Sequence, residues 1–276
     1  MLIKKSNGER VTFNPEKIRA TIMRAGASDD LADRVLRRVQ PKVRDGMATR
    51  RLFAIVHKEL RRESQHLAQR YNLRTALLRL GPAGFKFEKY VASILNAYEY
   101  AASVPEQDYV GLCVRHEVDV VATKGGRSVV IEAKFRNRFA DTVTLRDALA
   151  TWARYNDLRD GAETNRSCPL FDEIWIVTNG TFSDRAMQFG QCRGINMVGW
   201  RMGQSLAEMV DHTALYPITV IDSLRQWELE RFAKNDLLLC REVVTEDPDR
   251  LSGRLQLPRS RTRQIWEECR AVVGSS

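Results

Sequence analysis

Asp119, Glu132 and Lys134 lie close together in the chain and carry the chemistry that phosphodiester hydrolysis requires. Two carboxylates can hold a hard divalent cation through oxygen ligands, and such a cation screens a phosphate and lowers the pKa of an attacking water. A neighbouring ammonium group can orient that water or stabilise charge on a pentacovalent phosphorus. Both segments run through nearly continuous apolar sequence, Val118–Ala122 and Val129–Ala133. Unpaired charge there would be costly without a purpose. The bland alternative is an exposed hairpin face carrying ordinary ion pairs, each worth little.

The elements that must position these residues can be read around them. His116 to Lys134 predicts two strands joined at Lys124-Gly125-Gly126-Arg127, because β-branched runs flank a Gly-Gly pair able to supply the positive φ angles of a tight turn. Alternation predicts Glu117 and Asp119 on one face and Val118 and Val120 on the other, with Glu132 and Lys134 set against Ile131 and Ala133. Such a hairpin brings Asp119, Glu132 and Lys134 together beside a hydrophobic sheet.

Ahead of it, Phe85 to Leu95 predicts an amphipathic helix with Phe87, Val91, Ile94 and Leu95 along one side and Glu88 off that stripe. Behind it, Leu145, Leu149, Trp152 and Tyr155 mark a helix, Glu173–Thr178 a buried strand, Ser183 the cap of a helix through Cys192, and Gly194–Trp200 a further strand. Strand, helix and strand with short links call for a right-handed parallel crossover. The class is α/β, a mixed sheet flanked by helices.

The first third of the chain has a different character. Residues 1–90 hold 21 Lys and Arg against 9 Asp and Glu, a net of +12, whereas the remainder holds 23 against 26, a net of −3. This asymmetry points to a module that meets a polyanion, either nucleotide phosphates or a nucleic-acid backbone, or else to a solvated arginine-rich helical surface. Leu2 to Thr12 predicts a strand pair around Asn7-Gly8, and Asn14-Pro15-Glu16 an N-cap followed by proline in the first turn. Three more helices follow, around Leu31, Val35 and Val39, around Leu52, Val56 and Leu60, and around Leu67, Tyr71 and Leu77. Gly81-Pro82-Ala83-Gly84 closes the module. After Leu215 the pattern predicts helices at Leu224–Phe232, Leu237–Val244 and Arg261–Val273. The cysteines, Cys113, Cys168, Cys192, Cys240 and Cys269, never form a Cys-x-x-Cys pair, which argues for reduced thiols rather than a zinc ribbon or disulfide framework. No apolar run approaches a membrane span and Met1-Leu2-Ile3-Lys4-Lys5 leads into no signal-peptide core, so a cytoplasmic protein without membrane contact is expected.

Two resemblances add to this reading. Asp119 followed by Glu132-Ala133-Lys134 resembles the active site of the PD-(D/E)xK nuclease superfamily, and within it the Mrr-like type IV restriction endonucleases. Gly84-Phe85-x-Phe87-Glu88 and Thr178–Ser183 followed by Ala186 are similar to the same pattern, although the latter also reads as a plain strand-to-helix turn. The resemblance implies that Asp119 and Glu132 bind Mg²⁺ with the Ala133 carbonyl, that Lys134 positions the water, and that Glu88 or Glu117 serves a second metal. Ile3-Lys4-Lys5, Gly8, Phe13, Glu16-Lys17-Ile18, Ala25, Thr49 and Ile55-Val56 resemble the ATP-cone, the nucleotide-sensing domain of ribonucleotide reductases and their repressor. Lys4 and Lys5 would then meet phosphates, Lys17 would add charge to the same pocket and Thr49 would contact the nucleotide. This chain has Lys-Lys where the family has Lys-Arg, so one guanidinium fork is missing. Leu257-Pro258-Arg259-Ser260, with Arg259, Arg261 and Arg263 close together, resembles a helix-hairpin-helix that has lost its glycines, and a helical cap packed on the nuclease sheet is the favoured reading of this segment.

The expected organisation is an ATP-cone of a small hairpin and four helices at 1–83, a restriction-endonuclease-like domain at 84–212 and a helical segment at 213–276. The expected activity is a Mg²⁺-dependent DNA endonuclease in restriction or defence, regulated by ATP or dATP and homo-oligomeric. A non-catalytic, nucleotide-sensing DNA-binding regulator and a structure-selective repair nuclease are the rival readings.

Overall fold

The computed structural model describes residues 1–5, 8–81, 87–138, 141–164, 169–200 and 205–274. In the N-terminal module β1 (Leu2–Lys4) pairs antiparallel with β2 (Arg10–Thr12). It also pairs in parallel with β3 (Met47–Ala48), so that Lys4 lies beside Ala48. Gly8 has the positive φ of +88° that its turn requires; Asn7 of that turn, and Pro82, Ala83 and Gly84 of the module's closing stretch, lie outside the described residues. α1 (Pro15–Arg24) starts as its sequence demands, with the Asn14 side chain accepting from the amides of Glu16 and Lys17. α2 (Asp29–Val39) is capped by Ser28. α3 (Thr49–Glu63), α4 (Gln65–Tyr71) and α5 (Leu73–Leu80) complete the module. The expected hairpin and four helices are therefore a three-stranded sheet and five helices. The helix expected around Leu67–Leu77 breaks at Asn72, whose side chain reaches towards Asp222 in place of continuing an apolar stripe.

The middle of the chain opens with α6 (Phe87–Ala97) and β4 (Ala101–Ser103). A small hairpin follows, β5 (Tyr109–Val110) with β6 (Arg115–His116). β7 (Val120–Lys124) and β8 (Arg127–Lys134) form the predicted antiparallel pair, Val120 opposite Ile131, and the turn uses positive φ at both Gly125 (+59°) and Gly126 (+79°). Next come β9 (Thr142–Val143), α7 (Leu145–Thr164), β10 (Glu173–Thr178), β11 (Thr181–Phe182), α8 (Asp184–Arg193), β12 (Asn196–Val198) and α9 (Leu206–Thr213). The main sheet has the order β12-β10-β8-β7-β4. Its β4, β7 and β8 are antiparallel neighbours, while β8, β10 and β12 run parallel. β9 pairs with β11 apart from it.

One expectation fails here. The strand predicted from His116 does not run unbroken into Asp119; residues 117–119 lie between β6 and β7. Val118 packs with Val130 and Ile174, whereas Val120 faces Ile131, so the two valines lie on opposite sides and the predicted alternation does not hold. The cause is Asp157 of α7. Its carboxylate accepts from the Cys113 amide (2.9 Å) and pairs with His116 Nε2 (2.7 Å), and its carbonyl accepts from the Leu112 amide (2.9 Å). These bonds fasten the 111–116 hairpin to the helix and bend the chain before β7. The fit requires glycine, because a Cβ on Gly161 would lie 2.6 Å from the Gly111 carbonyl carbon.

The C-terminal residues form a 3-10 turn (Ile218–Val220), α10 (Gln226–Lys234), α11 (Cys240–Val244), α12 (Pro248–Leu255) and α13 (Arg259–Val273). They do not stand apart. Met1–Phe85 and Ala214–Ser276 make one compact unit and Lys86–Thr213 the other. Within the first unit, Thr219 donates to the Ala76 carbonyl (2.6 Å) and Arg79 donates to the carbonyls of Thr219 (3.0 Å) and Leu224 (3.3 Å). Among the described residues, no helix is long and apolar enough to cross a membrane.

Candidate functional site

Asp119 sits where the chain turns into β7, and continuing the register from Val120 and Ile131 sets it opposite Glu132. Its Oδ2 accepts from the Ala133 amide (2.7 Å). Within a strand the N–H and C=O of one residue point the same way, so the Ala133 carbonyl is directed to the edge that Asp119 occupies. Glu132 is 5% exposed. One of its oxygens, Oε1, is held by Lys134 Nζ and the other, Oε2, by Arg154 Nη1 from α7. Burial first, and then the negative charge of Glu132, push the Asp119 carboxyl above its ordinary value, against the opposing pull of the Ala133 amide, Lys134 and Arg154. The structure thus brings Asp119, Glu132 and Lys134 to one end of the sheet, as their spacing predicted.

Arg154 was missed by the sequence reading. Its signal is present: it falls three residues after Thr151 and four before Leu158, both buried, so α7 turns a charged side chain towards its buried stripe. At Lys134 and beyond, the end of β8 is clamped by the last residue of β10 and the one that follows it. Thr178 Oγ1 donates to the Lys134 carbonyl (2.6 Å), while the Asn179 side chain accepts from the Arg136 amide (2.6 Å) and donates to its carbonyl (2.9 Å). Arg136 reaches on to Asp147 (2.8 Å). Asp147 is partly buried, but the Thr144 amide and hydroxyl, Arg136 and Lys134 hold its carboxyl below the ordinary value.

The other candidates stand further off. Phe87 packs on Phe135 (5.5 Å between ring centres), which puts the first turn of α6, and Glu88 with it, near the end of β8. Among the described contacts Glu88 has none with Asp119, Glu132 or Lys134, and Glu117 is exposed with none either. Among the described residues, no group of three or more His, Cys, Asp or Glu side chains is arranged to hold a metal ion. The side-chain donors here are two carboxylates, a set that suits Mg²⁺, which takes one or two carboxylates and fills its shell with other oxygens.

In the N-terminal module, Lys4 ends β1 beside Ala48, and Thr49 is the first residue of α3. Among the described residues no side chain caps that helix start, which leaves its first amides, at the positive end of the helix, without a side-chain acceptor. Lys17 lies exposed in the first turn of α1, and Lys5 is drawn into an exposed pair with Glu9 (2.9 Å). An open groove of about 580 Å³ beside β3 adds Lys42, Arg44 and Arg51 to the basic surface.

Residues 1–76 match the family model of the ATP cone domain, and residues 216–273 match the model described as AF1548-like, C-terminal. An uncharacterised protein of Archaeoglobus fulgidus is 31% identical over 166 residues, 59% of this chain and 89% of its own length. The chain belongs to the same family as that archaeal protein. A crystal structure of a protein of unknown function, AF1548, is also similar, with a TM-score of 0.55 and 28% identity over 70% of this chain and the whole of that one. In this family member the N-terminal module is an ATP-cone, a nucleotide-binding regulatory domain.

Proposed function

We propose that the Lys86–Thr213 unit is a Mg²⁺-dependent DNA endonuclease of the PD-(D/E)xK, Mrr-like kind, and that ATP or dATP bound to the ATP-cone regulates it in restriction or defence. The observation that carries this reading is the meeting of Asp119 and Glu132 with Lys134 at the end of β8. The architecture supports it: a mixed sheet flanked by helices is the frame that the nuclease resemblance implies. Asp119, Glu132 and the Ala133 carbonyl would hold Mg²⁺, which when bound would screen the phosphodiester and ease deprotonation of the attacking water. Lys134 would orient that water and offset the charge developing on phosphorus. Thr178, by holding the Lys134 carbonyl, fixes the backbone from which this side chain springs.

One observation favours a second reading, a DNA-binding regulator without catalysis: both Glu132 oxygens already have cationic partners, as they would in a structural ion-pair cluster. Full-length protein incubated with plasmid DNA, with and without Mg²⁺ and ATP, separates the two. The nuclease reading expects Mg²⁺-dependent nicking or linearisation whose rate changes with ATP, with the ATP response lost in the Lys4→Ala, Lys5→Ala double variant. ATP-dependent DNA binding with no cleavage in Mg²⁺ or Mn²⁺, and no effect of Lys134→Ala, would establish the regulator instead.

A further inference from the structure

We infer that Arg154 competes with the divalent cation for Glu132, so that this arginine makes metal binding depend on the presence of a phosphate. The inference rests on the nuclease reading of the site. Asp119 and Glu132 bring two negative charges and Lys134 and Arg154 two positive ones, so the cluster is balanced from within. Glu132 is almost wholly buried, while the Lys134 and Arg154 side chains are 32% and 31% exposed. The cations therefore stand between the carboxylate and solvent. A divalent cation using Glu132 Oε2 must displace the Arg154 guanidinium from it, and it adds two positive charges to a group that has none to spare. A phosphodiester reverses both penalties, because it returns negative charge and offers the displaced guanidinium a planar oxygen pair to grip. Arg154 is thus a positioning residue that acts through Glu132. It holds the glutamate in place until substrate arrives and then passes to the phosphate. Binding of cation and of DNA backbone is consequently linked, each raising the affinity of the other by the same factor.

The test is Ca²⁺ binding to the full-length protein, measured by titration calorimetry with and without a short duplex, for wild type, Arg154→Met and Arg154→Lys. Without DNA, Arg154→Met is expected to bind Ca²⁺ at least about tenfold more tightly than wild type, the scale of one charge-assisted contact removed. DNA should tighten Ca²⁺ binding in wild type and do so much less in Arg154→Met. Arg154→Lys, which keeps the charge and the fold but not the fork, should fall between them. Equal Ca²⁺ affinity in all three proteins, lost on Glu132→Ala, would overturn the role of Arg154 and leave the metal site standing. No Ca²⁺ binding in any of them would overturn both.

Discussion

Glu132 and Glu228 are two buried glutamates, 5% and 1% exposed, each paired with an arginine from a helix, and they hold opposite lessons. Glu228 accepts from Arg261 Nε and Nη2 (both 2.8 Å) and from the Arg225 amide (2.8 Å). Despite burial, these donors keep its carboxyl below the ordinary value, and Arg261 is further spent on the Ser223 carbonyl (2.6 Å). This is a closed structural pair. It also occupies Arg261, one of the three arginines beside the stretch that resembles a helix-hairpin-helix. Glu132, by contrast, faces a second carboxylate whose proton affinity is raised, and its counter-ions are open to solvent. Burial and pairing do not by themselves mark a working site; like charge brought together under partly exposed cations is what the proposed site adds to them.

The largest expected effect tests that contrast directly. Glu132→Ala or Lys134→Ala should lower plasmid cleavage by at least about 10³-fold, whereas Glu228→Ala should leave the cleavage rate per folded molecule unchanged. Comparable losses in both would erase the distinction. Next in size, Arg261→Ala strands the buried Glu228 charge and should cost about 3–5 kcal/mol in urea unfolding, most of it recovered when Glu228→Leu is added. A loss under 1 kcal/mol would mean that water reaches Glu228. Asn179→Ala, which removes both side-chain bonds to the Arg136 backbone, should cost about 1–3 kcal/mol by the same measurement and weaken cleavage as the end of β8 loosens. The smallest effect is the most diagnostic. Because the Asp119 carboxyl is raised, its ionised form burdens the fold above its folded pKa and the burden is gone below its unfolded pKa. Asp119→Asn should therefore raise the melting temperature at neutral pH, with the gain shrinking as the pH falls through the carboxylate range. A gain independent of pH would assign the effect to packing.

The sequence was legible where the determinants are local. Gly125-Gly126 announces its turn, Asn14-Pro15 its helix start, and the Asp119, Glu132 and Lys134 spacing its cluster. Asp247-Pro248 carries the same start signal as Asn14-Pro15, with Asp247 accepting from the amides of Asp249 and Arg250, yet α12 went unread. Strand β3 has only two residues and no period to detect. The bend before β7 depends on Asp157, 38 positions beyond Asp119 in the chain, and the pairing of Glu132 with Arg154 depends on how α7 crosses the sheet. Neither is written in any local pattern. The expectation that 213–276 caps the nuclease sheet had the same weakness: the segment joins the N-terminal module, where Thr219 finds Ala76 across 143 positions of sequence.

That last contact bears on how the protein is made. The face of α5 that Thr219 and Leu224 cover belongs to residues that leave the ribosome early, and its covering emerges only after the whole of Lys86–Thr213 has been translated. During synthesis the middle unit can reach its native contacts first, while the Ala76 carbonyl and the Arg79 side chain of α5 wait for their partners in Thr219 and Leu224. A nascent chain of this protein thus holds one helix of its first module without its native partner until the C-terminal residues follow, which makes the completion of that module the last step of its synthesis.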